Sequence, residues 1–175
     1  MAISGLAITF PFINLGAAFG AAVGMGASTS ISVKLGQRDY ETAENILGNT
    51  VTLNLIIGSA FGIICLIFLD PILRFFGASD ATIPYARSFM EVILAGNVIS
   101  HMYFGMNAVL RAASKPRQAM MATIFTVLIN IILDFIFISL WGWGIRGAAF
   151  ATILSQALAL CWQMKQFTNK DEILH

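Results

Sequence analysis

Charged residues are scarce in this chain of 175 residues. They make up only 11% of the sequence, against roughly 25% in soluble domains. The net charge is +1, which gives no basis for a nucleic-acid partner. Cysteine is also rare: Cys65 and Cys161 form no CxxC pair, and we interpret both as small core or lipid-facing residues. These scarcities argue against a soluble domain and against a nucleic-acid-binding protein.

Hydrophobic residues, in contrast, make up 58% of the chain, and the mean hydropathy is +0.81. A helix of about 20 apolar residues is long enough to cross roughly 30 Å of hydrocarbon. Five such segments predict an all-α fold, a polytopic transmembrane helix bundle in the lipid bilayer. In chain order, segments A to E cover approximately residues 2–33, 46–69, 83–110, 119–140 and 147–167.

The basic residues of the short links predict the orientation of the bundle. Lysines and arginines concentrate after segments A, C and E, whereas the other side has only Arg74, Arg87 and Arg146. By the positive-inside rule, the A–B loop, the C–D loop and the C-terminus are cytoplasmic, in the plasma (inner) membrane. Segment A then begins outside, so we expect that a preceding helix is missing and that both ends are cut.

Two carboxylates, Glu91 and Asp134, fall within the segments, where a charge costs about 2.5–3.5 kcal/mol on insertion scales. Asn130 precedes Asp134 by one helical turn and shares its face, and Thr152 on segment E is predicted at a similar depth. This trio has the chemistry of a hard-cation site, or of a carboxyl that exchanges a proton. A purely structural hydrogen-bond network explains the spacing equally well. No cofactor is predicted beyond Na⁺ or H⁺.

Other polar residues in the segments are weaker candidates. Glu91 is placed either to extend toward the membrane surface or to meet a neighbouring helix, and it could act in substrate binding or gating, as could Asn54 and Asn107. We expect a packing role for His101, which has no cluster of metal ligands around it. No nucleophile motif, phosphate loop or zinc motif is present, so the sequence does not predict an enzyme.

Small residues recur at every fourth position in two segments. Such stripes let membrane helices approach closely, so we expect tight packing; a face that slides or bends during transport is the alternative. The stripes are Gly16, Gly20, Gly24, Ser28 and Ser32 in segment A, and Gly147, Ala151, Ser155 and Ala159 in segment E.

Four stretches together resemble the multidrug and toxic compound extrusion (MATE) family of efflux transporters. No single stretch is decisive, but their order and spacing over nearly the whole chain make the match specific. They are "GMGASTSISVKLGQRDYETAENILGN", "ILRFFGASDATIPYARSF", "NAVLRAASKPRQAM" and "NIILDFIFISLWGWGIRGAAFATILSQ".

The resemblance implies that residues 1–175 are an incomplete N-terminal lobe, with segments A to E as helices two to six of a twelve-helix, two-lobed transporter. The first helix and the second lobe would be missing. Asn130, Asp134 and Thr152 match the residues with which the family binds a coupling Na⁺ or H⁺. Many members have glycine where this chain has Ser114.

The function implied is secondary active multidrug efflux, an antiport of small organic, often cationic, substrates against Na⁺ or H⁺. A lipid-linked oligosaccharide flippase would share the fold, but it should show a cationic cavity, and no lysine or arginine lies deep within a segment. A non-transporting membrane scaffold subunit, which would use the small-residue stripes only for packing, is the third reading.

Overall fold

Residues 2–168 are described in the computed structural model, and they form helices joined by short links. No β-strand occurs in this range, so the all-α prediction is confirmed. The helices are α1 (Ala2–Gly36), α2 (Tyr40–Ile67), α3 (Leu69–Phe75), α4 (Ile83–Ala95), α5 (Asn97–Ala112), α6 (Pro116–Asp134) and α7 (Gly144–Thr168), with a π-helical segment, Phe135–Leu140, after α6.

Four of these elements are long and apolar enough to cross a membrane: α1, α2, α6 with its π-helical extension, and α7. The bent pair α4–α5 makes a fifth span if it is counted as one. Segments A, B, D and E are therefore present as candidate spans and segment C as a bent pair of helices, and the links are shorter than the sequence suggested. The predicted link between segments B and C, for example, contains the short helix α3.

The link between α1 and α2 is short because a helix cap and a tight turn follow each other directly. Asp39 caps α2, because its carboxylate accepts a hydrogen bond from the backbone N–H of Thr42 at 3.2 Å. Hydrogen bonds from Thr42 hold the pKa of Asp39 below its ordinary value, and Lys34 lies 3.3 Å away. Arg38 turns the chain with a positive φ of 58°. The A–B loop therefore reduces to residues 37–39.

Segment C requires a correction, because it is two helices and not one. α4 and α5 meet at an angle of 59° at Gly96. A Cβ atom at this position would lie 2.6 Å from side-chain atoms of Ile153 on α7, so only glycine fits the close approach. The prediction missed the bend because the contact with Ile153 is not visible in the local sequence.

Helix α5 lies between two glycine-bearing faces, one from α1 and one from α2. A Cβ on Gly20 or on Gly58 would lie 3.0–3.2 Å from atoms of His101. One turn further along α1, a Cβ on Gly24 would lie 2.6 Å from the carbonyl oxygen of Gly105. The stripe in segment A thus permits the tight packing that its spacing predicted.

The outer surface of the bundle is apolar, as a lipid-facing surface requires. Helix α6 is the most exposed of the candidate spans, and Trp141 and Trp143 follow its π-helical extension with rings stacked on Phe137. Tryptophans at a helix end are typical of the membrane–water interface. Cys65 is buried and Cys161 is exposed, in keeping with the two environments predicted for them.

Candidate functional site

Asp134 is the last α-helical residue of α6, and the π-helical segment starts at the next residue. At this junction the backbone N–H of Phe135 reaches the carbonyl oxygens of both Ile131 and Ile132. Short π-helical turns widen a helix locally and occur frequently at functional sites. No local sequence signal predicts this change in helix type beside the carboxylate.

Asp134 and Asn130 both carry buried polar atoms without a partner. Within residues 2–168, the Oδ1 atom of Asp134 and the Nδ2 atom of Asn130 are shielded from solvent and make no hydrogen bond. Leaving such an atom buried and unpaired costs about 1–3 kcal/mol, and more for a charged group. A cation, a proton or a donor side chain would offset this cost at the Asp134 oxygen, whereas the Asn130 amide nitrogen needs an acceptor oxygen.

Thr152 is close in level to Asp134 but is not bonded to it in the described part of the chain. Its hydroxyl donates to the carbonyl oxygen of Ala148 at 3.0 Å. Ile153, the next residue on α7, lies against Gly96 at the α4–α5 bend. Thr152 is therefore near the same level along the bundle as the bend.

The level of Asp134 follows from the contacts between α5 and α6. The hydroxyl of Thr126 donates to that of Tyr103 at 3.2 Å, and the Asn107 amide donates to the carbonyl oxygen of Ala119 at 3.0 Å. Because these helices are antiparallel, two more turns along α6 from Thr126 bring Asp134 to the level of the bend. Two members of the predicted trio therefore share a level, without a direct hydrogen bond between them.

A metal site built from several ionisable ligands is not found among residues 2–168, where no group of three or more His, Cys, Asp and Glu side chains comes together. A cation at Asp134 would therefore rely on neutral oxygens from amide and hydroxyl groups as its other ligands. Such ligands suit Na⁺, and a single carboxylate also suffices for a proton.

Glu91 lies in an ion-pair network near one end of the bundle. One carboxylate oxygen accepts a hydrogen bond from Arg87 at 2.9 Å, and the other lies 3.7 Å from Arg146 on α7. Arg87 also bonds Asp70 at 2.9 Å. Glu91 thus links α4 to α7. Of the two placements predicted for it, the structure has the one in which it meets a neighbouring helix.

The other predicted polar residues make mainly interhelical or local contacts. Besides its bond to Ala119, the amide of Asn107 lies 3.4 Å from the hydroxyl of Thr123 on α6. Asn54 is fully buried, and its amide donates to the carbonyl oxygen of Thr50 at 3.1 Å. His101 is also fully buried, and its ring packs on Phe61 with centroids 5.7 Å apart.

Sequence reasoning missed Ser100 and Gln156, which form the bond between α5 and α7. The Ser100 hydroxyl donates to the Gln156 side-chain oxygen at 2.6 Å. These residues lie far apart in the sequence, and neither belongs to a motif. The only local signal nearby was Gly96, a glycine in the middle of an apolar segment.

Comparison with known proteins decides the family. A family model described as MatE matches residues 1–136. The chain belongs to the MATE family. Over 98% of its length it is 31% identical to the multidrug export protein MepA of Staphylococcus haemolyticus, and 26% identical to that of Staphylococcus aureus. The chain spans 38% of the length of each of these relatives.

Solved MATE structures share the fold at similar sequence identity. A crystal structure of MATE in the bent conformation superimposes with a TM-score of 0.92 over 99% of this chain and 39% of the other, at 31% identity. An inward-facing structure of a multidrug resistance MATE family transporter gives a TM-score of 0.92 over 98% of this chain and 39% of the other, also at 31% identity. The arrangement of helices is therefore that of MATE transporters.

Proposed function

We propose that residues 1–175 form an incomplete N-terminal lobe of a secondary active multidrug efflux transporter, an antiporter driven by Na⁺ or H⁺. The observation that carries this proposal is the buried Oδ1 atom of Asp134, which has no hydrogen-bond partner in a chain of the MATE family. The relatives named as multidrug export proteins support the substrate class, small organic and often cationic compounds.

The coupling would work through a difference in cation affinity between two arrangements of the helices. A bound Na⁺ or H⁺ would neutralise the Asp134 carboxylate, with the side-chain oxygens of Asn130 and Thr152 as further ligands. A substrate that prefers the other arrangement would displace the cation, so that the ion gradient drives export. The π-helical turn beside Asp134 supports this reading, because such a turn offers a place where α6 can change its winding.

The orientation belongs to the same proposal. The distribution of lysine and arginine supports a cytoplasmic position for the α1–α2 turn, the α5–α6 turn and the C-terminus. The site would then lie nearer the outer face of the membrane, which is where an exporter releases its substrate.

The alternatives have less support. A lipid-linked oligosaccharide flippase would need a cationic cavity for its phosphates, whereas no lysine or arginine lies deep within a predicted membrane segment. A scaffold subunit would have no use for a buried carboxylate oxygen without a hydrogen-bond partner, which costs stability.

The test is transport of a fluorescent cationic dye by the product of the complete gene in proteoliposomes. We expect an imposed Na⁺ or H⁺ gradient to drive dye accumulation, and an ionophore that dissipates that gradient to abolish it. Liposomes containing heat-denatured protein provide the baseline. Dye movement that no gradient affects would contradict antiport and favour the flippase or the scaffold.

A further inference from the structure

A small cavity lies at the bend between α4 and α5, with a volume of about 60 Å³. We call it the bend cavity. Its polar lining consists of Asn97, Ser100, Thr152 and Gln156, and its apolar lining includes Phe12, Phe61 and Phe104. Asn97 is the first residue of α5, so the cavity adjoins the place where the transmembrane helix is interrupted.

The size and charge of the bend cavity exclude two classes of ligand. Drug-sized molecules need pockets of about 300–1,000 Å³, far more than this cavity offers. A cation would be stripped of its hydration shell, and none of the residues that line the cavity is charged to compensate. A single buried water needs only about 10–15 Å³ and two to four polar partners, which the lining supplies.

The hydrogen-bond donors of the lining are mostly used elsewhere. The Ser100 hydroxyl donates to Gln156, the Thr152 hydroxyl to Ala148, and the Asn97 amide to the carbonyl oxygen of Gly58 at 2.9 Å. What remains is a set of acceptors on Asn97, Ser100 and Thr152, together with the amide donors of Gln156. Water complements this set, because it donates two hydrogen bonds and accepts others.

We propose that the bend cavity is a binding site for ordered water, held by Asn97, Ser100, Thr152 and Gln156 at the break in the transmembrane helix. Interrupted backbone is tolerated at membrane depth where it is buried in protein or lines a cavity that contains water. The water joins α5 to α7 through the Ser100–Gln156 pair. The bend cavity shares Thr152 with the proposed cation site, but its water requires neither a cation at Asp134 nor transport activity.

Two buried methionines provide an internal comparison for the test. Met90 lines the bend cavity and is 1% exposed, whereas Met106 is 0% exposed and is not among the lining residues. The protein in lipid nanodiscs is irradiated with X-rays, which generate hydroxyl radicals from water, and methionine oxidation is followed by mass spectrometry. We expect Met90 to be oxidised at least fivefold faster than Met106. Equal, slow oxidation of the two residues would overturn the proposal.

A pair of threonine variants tests whether the polar lining holds the water. Thr152→Val keeps the side-chain shape but removes an acceptor, and we expect it to slow Met90 oxidation at least threefold. Thr50→Val is the matched control, because the Thr50 hydroxyl also bonds the carbonyl oxygen one turn before it and lies away from the cavity. Unchanged Met90 oxidation in folded Thr152→Val would overturn the proposal. If Thr152→Val does not fold, the comparison of Met90 with Met106 decides alone.

Discussion

Gly24 and Gly26 lie two residues apart on α1 but have different surroundings. A Cβ on Gly24 would lie 2.6 Å from the backbone carbonyl oxygen of Gly105, which cannot move without shifting α5. A Cβ on Gly26 would meet nothing within 4 Å. We expect Gly24→Ala to destabilise the fold by about 1–3 kcal/mol, the usual cost of overpacking. Gly26→Ala should be neutral or stabilising, by up to about 1 kcal/mol, because alanine favours helix.

Thermal unfolding of both variants in the same detergent measures this difference. The result that contradicts the packing account is a Gly24→Ala variant as stable as Gly26→Ala. Because the two substitutions are chemically identical and lie on one helix, a change in helix propensity alone would affect both alike.

For single residues, the sequence predicts which side chains share a helix face, because the helical period determines it. Asn130 and Asp134 share a face because they are one turn apart, and both have unpaired buried atoms on α6. The Ser100–Gln156 bond was not predictable, because it joins residues 56 positions apart on different helices. The ion pair of Glu91 with Arg87 follows from the helix period, because the two residues are one turn apart on α4. The ion pair of Glu91 with Arg146 was not predictable, because it depends on how α4 and α7 pack.

At the element scale, the bend at Gly96 depends on one contact with α7. Gly96→Ala would place a methyl group 2.6 Å from Ile153 side-chain atoms, so we expect it to lower stability by about 1–3 kcal/mol. Ile153→Ala removes the side-chain atoms with which that methyl group would clash. The double variant should therefore be more stable than the sum of the two single effects predicts, by about 0.5–3 kcal/mol, when unfolding in detergent is measured. Strict additivity would show that the two residues do not determine the bend together.

Some helix boundaries have a local cause that the sequence shows, and others do not. Pro116 begins α6, a position that proline favours. Gly77 and Gly142 turn the chain after a helix with positive φ angles of 95° and 67°, as glycines at helix ends commonly do. The break in segment C and the π-helical end of segment D were not predicted, because hydropathy averages over a whole segment. Each is a local departure from the regular α-helix inside a continuous apolar run.

Taken as a whole, the molecule has the helix arrangement of the MATE family and spans 38% of the length of the multidrug export proteins it matches. The apolar exterior and the near absence of charge inside account for a membrane location. Asp134 is the exception, because one of its carboxylate oxygens is buried without a hydrogen-bond partner. We propose that this carboxylate couples an ion gradient to export.

Dye transport by Asp134→Asn, in the product of the complete gene in proteoliposomes, tests whether Asp134 couples the ion gradient to export. The amide keeps the size of the side chain but cannot bind a proton or balance the charge of Na⁺. Gradient-driven dye accumulation should fall at least tenfold, while exchange of dye for dye without a gradient persists and shows that the protein is folded. Glu44→Gln, an exposed carboxylate on α2, is the control and should retain both activities. Gradient-driven accumulation by Asp134→Asn within twofold of the unmodified protein would contradict the account.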